Sequence, residues 1–293
     1  MKTAYITEQG AFLTKKGAVL IIKKDGHEIQ KIHAHQIDQI IITGNVTLTT
    51  QTVAFLLGQG IDTVFLSVYG KYRGRLSSKF SKNIPVRIKQ FELFGNKEGS
   101  LLLARELITG KITNCLTLLR RRLIKSKDIK LRKTIYQLKQ ILIKIQSTKD
   151  IDSLRGFEGI AAAFYFSIFS KLFSDDRFHF QKRSRRPPLD RANALLSLSY
   201  TFLNNSIQSF VESSGLDPYL GVFHQPDYGR PSLGLDLMEE FRPVIADILV
   251  INLINKKMIQ FDDFVIDNES DRPCILSSFA MKKFIHHYEK RIR

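Results

Sequence analysis

The sequence predicts an α+β chain: a small amino-terminal β-rich domain over residues 1–75, a linker over 76–95, and a larger all-α domain over 96–293. Three observations carry this. Short runs rich in Val, Ile, Thr and Phe, closed by turn residues, fill the first part of the chain. From about Asn96 the pattern changes, and apolar residues recur three and four apart, the spacing of one helix face. Between the two regimes, Leu76–Ile88 gathers Ser, Lys, Asn and Pro85, the composition of a domain boundary.

In chain order, Ala18–Ile22 is an apolar run closed by Lys23, Lys24, Asp25 and Gly26, and Ile29–Ile32 follows this turn as a second strand. Ile37–Ile42, Val46–Leu48 and Thr63–Leu66 read as further strands. Thr50–Gly58 reads as a short helix, capped by Thr49 or Thr50, with Val53, Leu56 and Leu57 at helical spacing. Helices are then expected over Leu101–Ile124, Leu131–Gln146, Ile160–Phe173, Ala192–Val211 and Val244–Ile254, with another over the tail from Ser277 to Arg293.

Charge and composition narrow the partners. The 293 residues carry 45 Lys+Arg against 28 Asp+Glu, a formal net charge of +17, so polyanions are favoured: nucleic acid first, an anionic membrane second. Residues 96–150 alone hold 14 basic and 4 acidic side chains. Arg120, Arg121, Arg122 and Lys125 lie opposite the apolar stripe Ile112, Cys115, Leu116, Leu119 and Leu123. A second cluster contains Lys182, Arg183, Arg185, Arg186 and Arg191. A solvated face explains either cluster alone; both in one domain point to phosphate contacts. Two cysteines exclude a disulfide framework, the apolar stretches are too short to span a bilayer, and a reducing cytoplasm is expected.

Three stretches are unusual for a plain helical domain. In R-G-F-E-G-I-A-A-A, Glu158 opens a small-residue helix, either as a favourable charge at a helix N-terminus or as a buried ligand. In G-L-D-P-Y-L-G-V-F-H, His224 ends an apolar run, a hydrogen-bonded residue or a metal ligand. In D-L-M-E-E-F-R-P, Asp236 and Glu239 share a helix face, where two anions repel unless a cation intervenes; Glu240 points elsewhere, into solvent. Hard oxygen ligands plus one imidazole suit Mg²⁺ or Mn²⁺. In a very basic helical domain, such a set points to a metal-dependent phosphodiesterase acting on nucleic acid.

These stretches, with R-R-P-P-L-D-R-A-N-A-L-L from Arg185, G-K-Y-R-G-R-L ending at Leu76 and A-R-E-L-I-T-G-K-I-T-N from Ala104, resemble the CRISPR-associated adaptation (spacer-acquisition) endonuclease/integrase family over essentially the whole chain. The resemblance implies a catalytic metal triad at Glu158, His224 and Glu239, with Asp236 in support, while the two basic clusters point to DNA contacts at Arg120, Arg121, Lys125, Arg183, Arg185 and Arg186. It implies insertion of short DNA fragments into the leader-proximal repeat of a CRISPR array by 3′-hydroxyl transesterification. It also implies a homodimer working with a small partner of ferredoxin-like fold, the amino-terminal domain serving as the dimerisation and partner-binding module. Two positions depart from the family pattern: Glu240 stands where Pro is frequent, and Ala163 where a basic residue is common. The rival readings are a stand-alone repair nuclease for branched DNA and a catalytically inactive DNA-binding scaffold.

Overall fold

The computed structural model describes residues 2–68, 70–76, 83–124, 128–185, 187–224, 227–266 and 273–292. The chain divides into two compact units, Met1–Ser81 and Lys82–Arg293.

The first unit holds two four-stranded sheets. One has the order β1 (Thr3–Ile6), β5 (Gln39–Thr43), β7 (Asp62–Leu66), β8 (Tyr72–Leu76); its first three strands run parallel and β8 returns antiparallel. The other has the order β4 (His27–His33), β3 (Val19–Lys24), β2 (Ala11–Lys16), β6 (Val46–Leu48), with β2 and β6 parallel. Helix α1 (Thr50–Gln59) is capped by Thr49, whose hydroxyl accepts from the Thr52 amide at 3.2 Å. The core is aliphatic: Ile6, Leu13, Leu20, Ile40, Ile42 and Leu56 are each at most 1 % exposed. All five β5 residues are buried, the signature of a strand covered on both faces. Strands β1, β2 and β8 fall in segments where the sequence pattern shows no strand, because none is a continuous apolar run.

The second unit is helical. The expected linker at 76–95 is corrected in part: residues 84–95 form helix α2 (Ile84–Gly95), with Pro85 in its first turn, where a missing N–H costs nothing. Then come α3 (Lys97–Leu123), α4 (Ile129–Gln146), α5 (Ile151–Ser167), α6 (Arg191–Ser213), α7 (Ser232–Phe241), a π-helical turn (Arg242–Asp247), α8 (Ile248–Asn255) and α9 (Ser278–Ile292). Side-chain oxygens cap four of them: Asn96 for α3, Asp128 for α4, Asp150 for α5 and Asp190 for α6. The unit is not purely helical, since β9 (Phe264–Ile266) and β10 (Cys274–Leu276) pair antiparallel. Helix α3 packs on α2, α4, α5, α7 and the π turn, and is the spine on which the site is assembled. No helix among the described residues is long and apolar enough to cross a membrane.

The expected helix Ile160–Phe173 begins nine residues earlier, at Ile151, because Asp150 caps it: its carboxylate accepts from the Ser153 amide at 2.7 Å. Glu158 therefore lies in the middle of α5, and the reading of Glu158 as an N-terminal helix charge falls.

Candidate active site

Four elements converge. Helix α3 brings Lys111, α5 brings Glu158, the loop between α6 and α7 brings His224, and α7 brings Asp236 and Glu239. Lys111 lies on the edge of the buried stripe Ile108, Ile112, Cys115, so its ammonium is carried inward with that stripe. There Nζ hydrogen-bonds Glu158 Oε1 and stands 2.6 Å from Glu239 Oε2. Burial alone would pull the Lys111 pKa down, but Glu239 and Glu158 outweigh it and raise it, so the ammonium stays charged. Burial works against the Glu239 charge too, yet Lys111 and Arg242 lower its pKa to about 2. Arg242 Nη1 lies 2.7 Å from Glu239 Oε1, from the first residue of the π turn. Glu239 Oε2 is buried, and its partner is the Lys111 ammonium at 2.6 Å, the other half of the same ion pair.

The other carboxylate of α7 is neutralised differently. Asp236 is fully buried. Its Oδ2 accepts from the amides of Val222 (2.6 Å) and Phe223 (2.9 Å), and its Oδ1 from the His224 amide (2.9 Å). The His224 ring nitrogen Nδ1 lies 2.6 Å from the same Oδ1. With Nδ1–H as donor, the neutral ring keeps its lone pair on Nε2, 3.9 Å from Glu239 Oε1. Asp236 and Glu239 thus share a face of α7 without a cation between them, each having its own partners. Gly221 makes this possible, because a Cβ there would fall on Asp236 Oδ2. Buried Gln90 of α2 holds the loop from below, donating to the carbonyls of Asp217 (2.9 Å) and Leu220 (3.0 Å) and accepting from the Asp217 amide (2.7 Å). Arg155 of α5 donates to the Phe223 carbonyl at 2.9 Å, tying His224 to the helix of Glu158.

Behind the carboxylates, Asp247 accepts from Tyr200 (2.6 Å) and Tyr165 (2.9 Å). Burial pushes its pKa up to about 6 against those hydrogen bonds. The guanidinium groups of Arg183 and Arg242 lie 5.2 and 5.1 Å from the Tyr200 ring centre.

The structure thus brings Glu158, His224 and Glu239 together, with Asp236 behind the imidazole. Among the described residues, however, no three His, Cys, Asp or Glu side chains are already drawn into a metal cage. Lys111 stands between the two glutamates instead. Glu240, expected in solvent, is half-buried against α3: a Cβ on Gly110 would come within 2.9 Å of its carboxyl, and Asn114 donates to its carbonyl. Of the expected DNA contacts, Arg120 and Arg121 are exposed on the last turn of α3, and Arg185 is exposed beside the site. Arg183 is committed internally, to Asn193 at 2.8 Å and Ser197 at 3.0 Å. Lys125 and Arg186 lie outside the described residues. The sequence reading missed Lys111, Arg242, Tyr200 and Asp247. A lysine on the edge of an apolar stripe was the available signal for the first.

A β unit followed by a helical unit with an acid–imidazole centre rimmed by Lys and Arg is the class of protein that fold and site define. The family described as CRISPR associated protein Cas1 matches residues 4–290. "CRISPR-associated endonuclease Cas1 3" of Thermus thermophilus is 38 % identical over 291 residues, covering 98 % of this chain and 84 % of that protein. A solved CAS1 protein from Thermotoga maritima superposes with a TM-score of 0.86 at 27 % identity, covering 99 % of this chain and 89 % of that one. A chain of a solved Cas6-RT-Cas1–Cas2 complex superposes at 0.87 and 27 % identity, 99 % of this chain on 32 % of that one. The chain belongs to the Cas1 family.

Proposed function

We propose that this chain is a divalent-metal-dependent DNA endonuclease and integrase that inserts short DNA fragments into a CRISPR array by attack of their 3′-hydroxyl ends. Glu158, Glu239 and His224 would hold Mg²⁺ or Mn²⁺, with Asp236 as the positioning residue of His224. The observation that carries the reading is convergence. Glu158 of α5 and Glu239 of α7 meet at the Lys111 ammonium, the His224 Nε2 of the loop between α6 and α7 lies 3.9 Å from Glu239 Oε1, and two hard carboxylates with one imidazole nitrogen are a donor set suited to those ions. Glu239 supports it: its buried carboxylate is kept ionised, with its pKa lowered to about 2 by Lys111 and Arg242, as a hard oxygen ligand must be. When bound, a divalent ion neutralises charge on a phosphodiester and activates an attacking oxygen.

The chain's own residues set the frame for that chemistry. Asp236 fixes the imidazole tautomer through Nδ1, and Arg242 holds Glu239 in place through Oε1. Arg185, beside the site, offers a guanidinium fork to a phosphate. The name of the Thermus relative and the presence of Cas2 in a solved complex favour a nuclease and a partner protein. The homodimer, the ferredoxin-like fold of that partner, the recognition of leader-repeat DNA and action in the cytoplasm belong to the same proposal.

The experiment is cleavage of a labelled branched DNA by the purified chain with Mn²⁺. Products are expected, and a chelator should remove them; equal cleavage in chelator overturns metal dependence. Activity that never depends on a small co-purifying partner would favour the repair-nuclease reading instead.

DNA affinity should fall with salt. Replacing Arg185 and Arg186 by Ala is expected to flatten the log–log slope by about 0.9 for each duplex phosphate that is no longer neutralised. Arg120→Ala with Arg121→Ala should do the same. An unchanged slope assigns the cluster to solvated surface.

A further inference from the structure

We propose that Lys111 is a tethered counter-ion. It keeps the place of the divalent ion between Glu158 and Glu239, moves aside when the ion enters, and then contacts a DNA phosphate oxygen. The proposal rests on the metal-dependent reading above and adds to it a residue and a coupling.

Glu158 and Glu239 bring two negative charges to the centre, and Lys111 and Arg242 bring two positive ones. Apart from Asp236, whose carboxylate is satisfied by its own four hydrogen bonds, these side chains balance without an ion, so two carboxylates that would repel each other are held together. A dication entering this set makes it strongly positive. Two things can relieve the excess: displacement of the ammonium, and arrival of an anion. A DNA phosphate provides the second and gives the displaced ammonium a partner. Metal uptake and DNA binding are then mutually reinforcing, each raising affinity for the other by the same factor.

Of the two cations, Lys111 is the one built to move. Arg242 is fixed by its pair with Glu239 at 2.7 Å, by its place at the start of the π turn and by the Tyr200 ring. Lys111 is a compact ammonium on a flexible four-carbon stem. Its ammonium is held by its contacts with Glu158 Oε1 and Glu239 Oε2, the same two carboxylates that an entering ion would take. The stem borders a cavity of about 30 Å³, which is also lined by Glu158, Arg185, Tyr200, Arg242 and Asp247. That volume takes little more than a water or two. A single phosphate oxygen is no larger than a water, so it fits there beside the Lys111 stem. The cavity wall also carries the exposed guanidinium of Arg185, so the surroundings already suit an anion.

The test pairs two readouts on wild type and Lys111→Met. The first is Mn²⁺ binding to the DNA-free protein by calorimetry. The second is cleavage of branched DNA at saturating Mn²⁺. The Met variant is expected to bind Mn²⁺ about ten-fold more tightly, because its competitor is gone. It is also expected to cleave about a hundred-fold more slowly, because a cation facing the phosphate is gone. A lysine with a purely structural role would not produce tighter metal binding when removed. Unchanged or weaker Mn²⁺ affinity in a folded variant overturns the counter-ion role, and full-rate cleavage overturns the phosphate contact. Wild type that takes up no Mn²⁺ removes the metal reading itself, and this proposal with it. If circular dichroism shows that Lys111→Met does not fold, Lys111→Gln, which keeps polar hydrogen bonding without charge, takes its place with the same expected results.

Discussion

Glu158→Ala is expected to abolish cleavage and strand joining while leaving DNA affinity nearly intact. Glu158, the proposed metal donor, lies in the middle of α5 and does not cap that helix, which Asp150 starts and which buries Leu154, Ala161 and Tyr165. Its loss removes one of two carboxylates at the centre, whereas affinity for DNA comes from lysines and arginines that neutralise phosphates. Deleting an anion also lowers repulsion toward DNA, so affinity should rise slightly. His224→Ala should be milder in one respect: it removes a neutral donor and leaves both carboxylates, so partial rescue at high Mn²⁺ is expected, and less for Glu158→Ala. Glu158→Ala also releases the Lys111 ammonium from its hydrogen-bonded anchor, so the variant needs a folding control. A gel-shift titration, a strand-transfer assay and circular dichroism on the same preparations decide the matter. Full activity in a folded Glu158→Ala protein would remove the assignment of the site.

The sequence singled out Glu158, His224, Asp236 and Glu239 and said little of their surroundings, for physical reasons. Glu158, His224, Asp236 and Glu239 stand in short stretches whose residue types are unusual for a helical core, and these stretches carry the family resemblance. Their neutralising partners are not marked this way. Lys111 sits among ordinary helix-forming residues of α3, and only its place beside Ile108, Ile112 and Cys115 tells that it points inward. Arg242 and Asp247 are placed by a π turn, and a pattern read at 3.6 residues per turn does not anticipate one. Asp247 meets two tyrosines from α5 and α6, a contact across more than forty positions of chain on either count. Arg183 shows the opposite error. Its sequence neighbours are basic and exposed, so it reads as one of a phosphate-binding cluster, yet Asn193 and Ser197 of α6 occupy its guanidinium. In the first unit the buried strands β3, β5 and β7 were legible as apolar runs. The less apolar β1, β2 and β8 are strands because of what they pair with, and pairing is not visible in local sequence.

Asp236→Asn is expected to cost both stability and activity, and the two losses have one origin. The carboxylate accepts four hydrogen bonds: two backbone amides on Oδ2, and the His224 amide and ring on Oδ1. An amide of the same shape has one accepting oxygen and one donating nitrogen, so one half of the arrangement must fail. If the oxygen takes the Oδ2 place, the nitrogen faces the His224 amide donor to donor and donates to Nδ1. The imidazole must then carry its proton on Nε2, which can no longer offer a lone pair toward Glu239. If the side chain turns over, the amides of Val222 and Phe223 lose their acceptor inside the protein. Gly221 packs against that oxygen and the Gln90-anchored loop holds the backbone, so neither side has room to adjust. The stability loss should be about 1–3 kcal/mol, the cost of buried donors left unpaired. Metal affinity or activity should fall about 10- to 100-fold, the usual consequence of removing a group that orients a ligating histidine. Urea unfolding and Mn²⁺ titration of the same variant measure the two. Asp236→Leu, which leaves every donor unpaired, should be less stable still. An Asp236→Asn protein with unaltered Mn²⁺ affinity would show that His224 does not depend on this carboxylate for its tautomer.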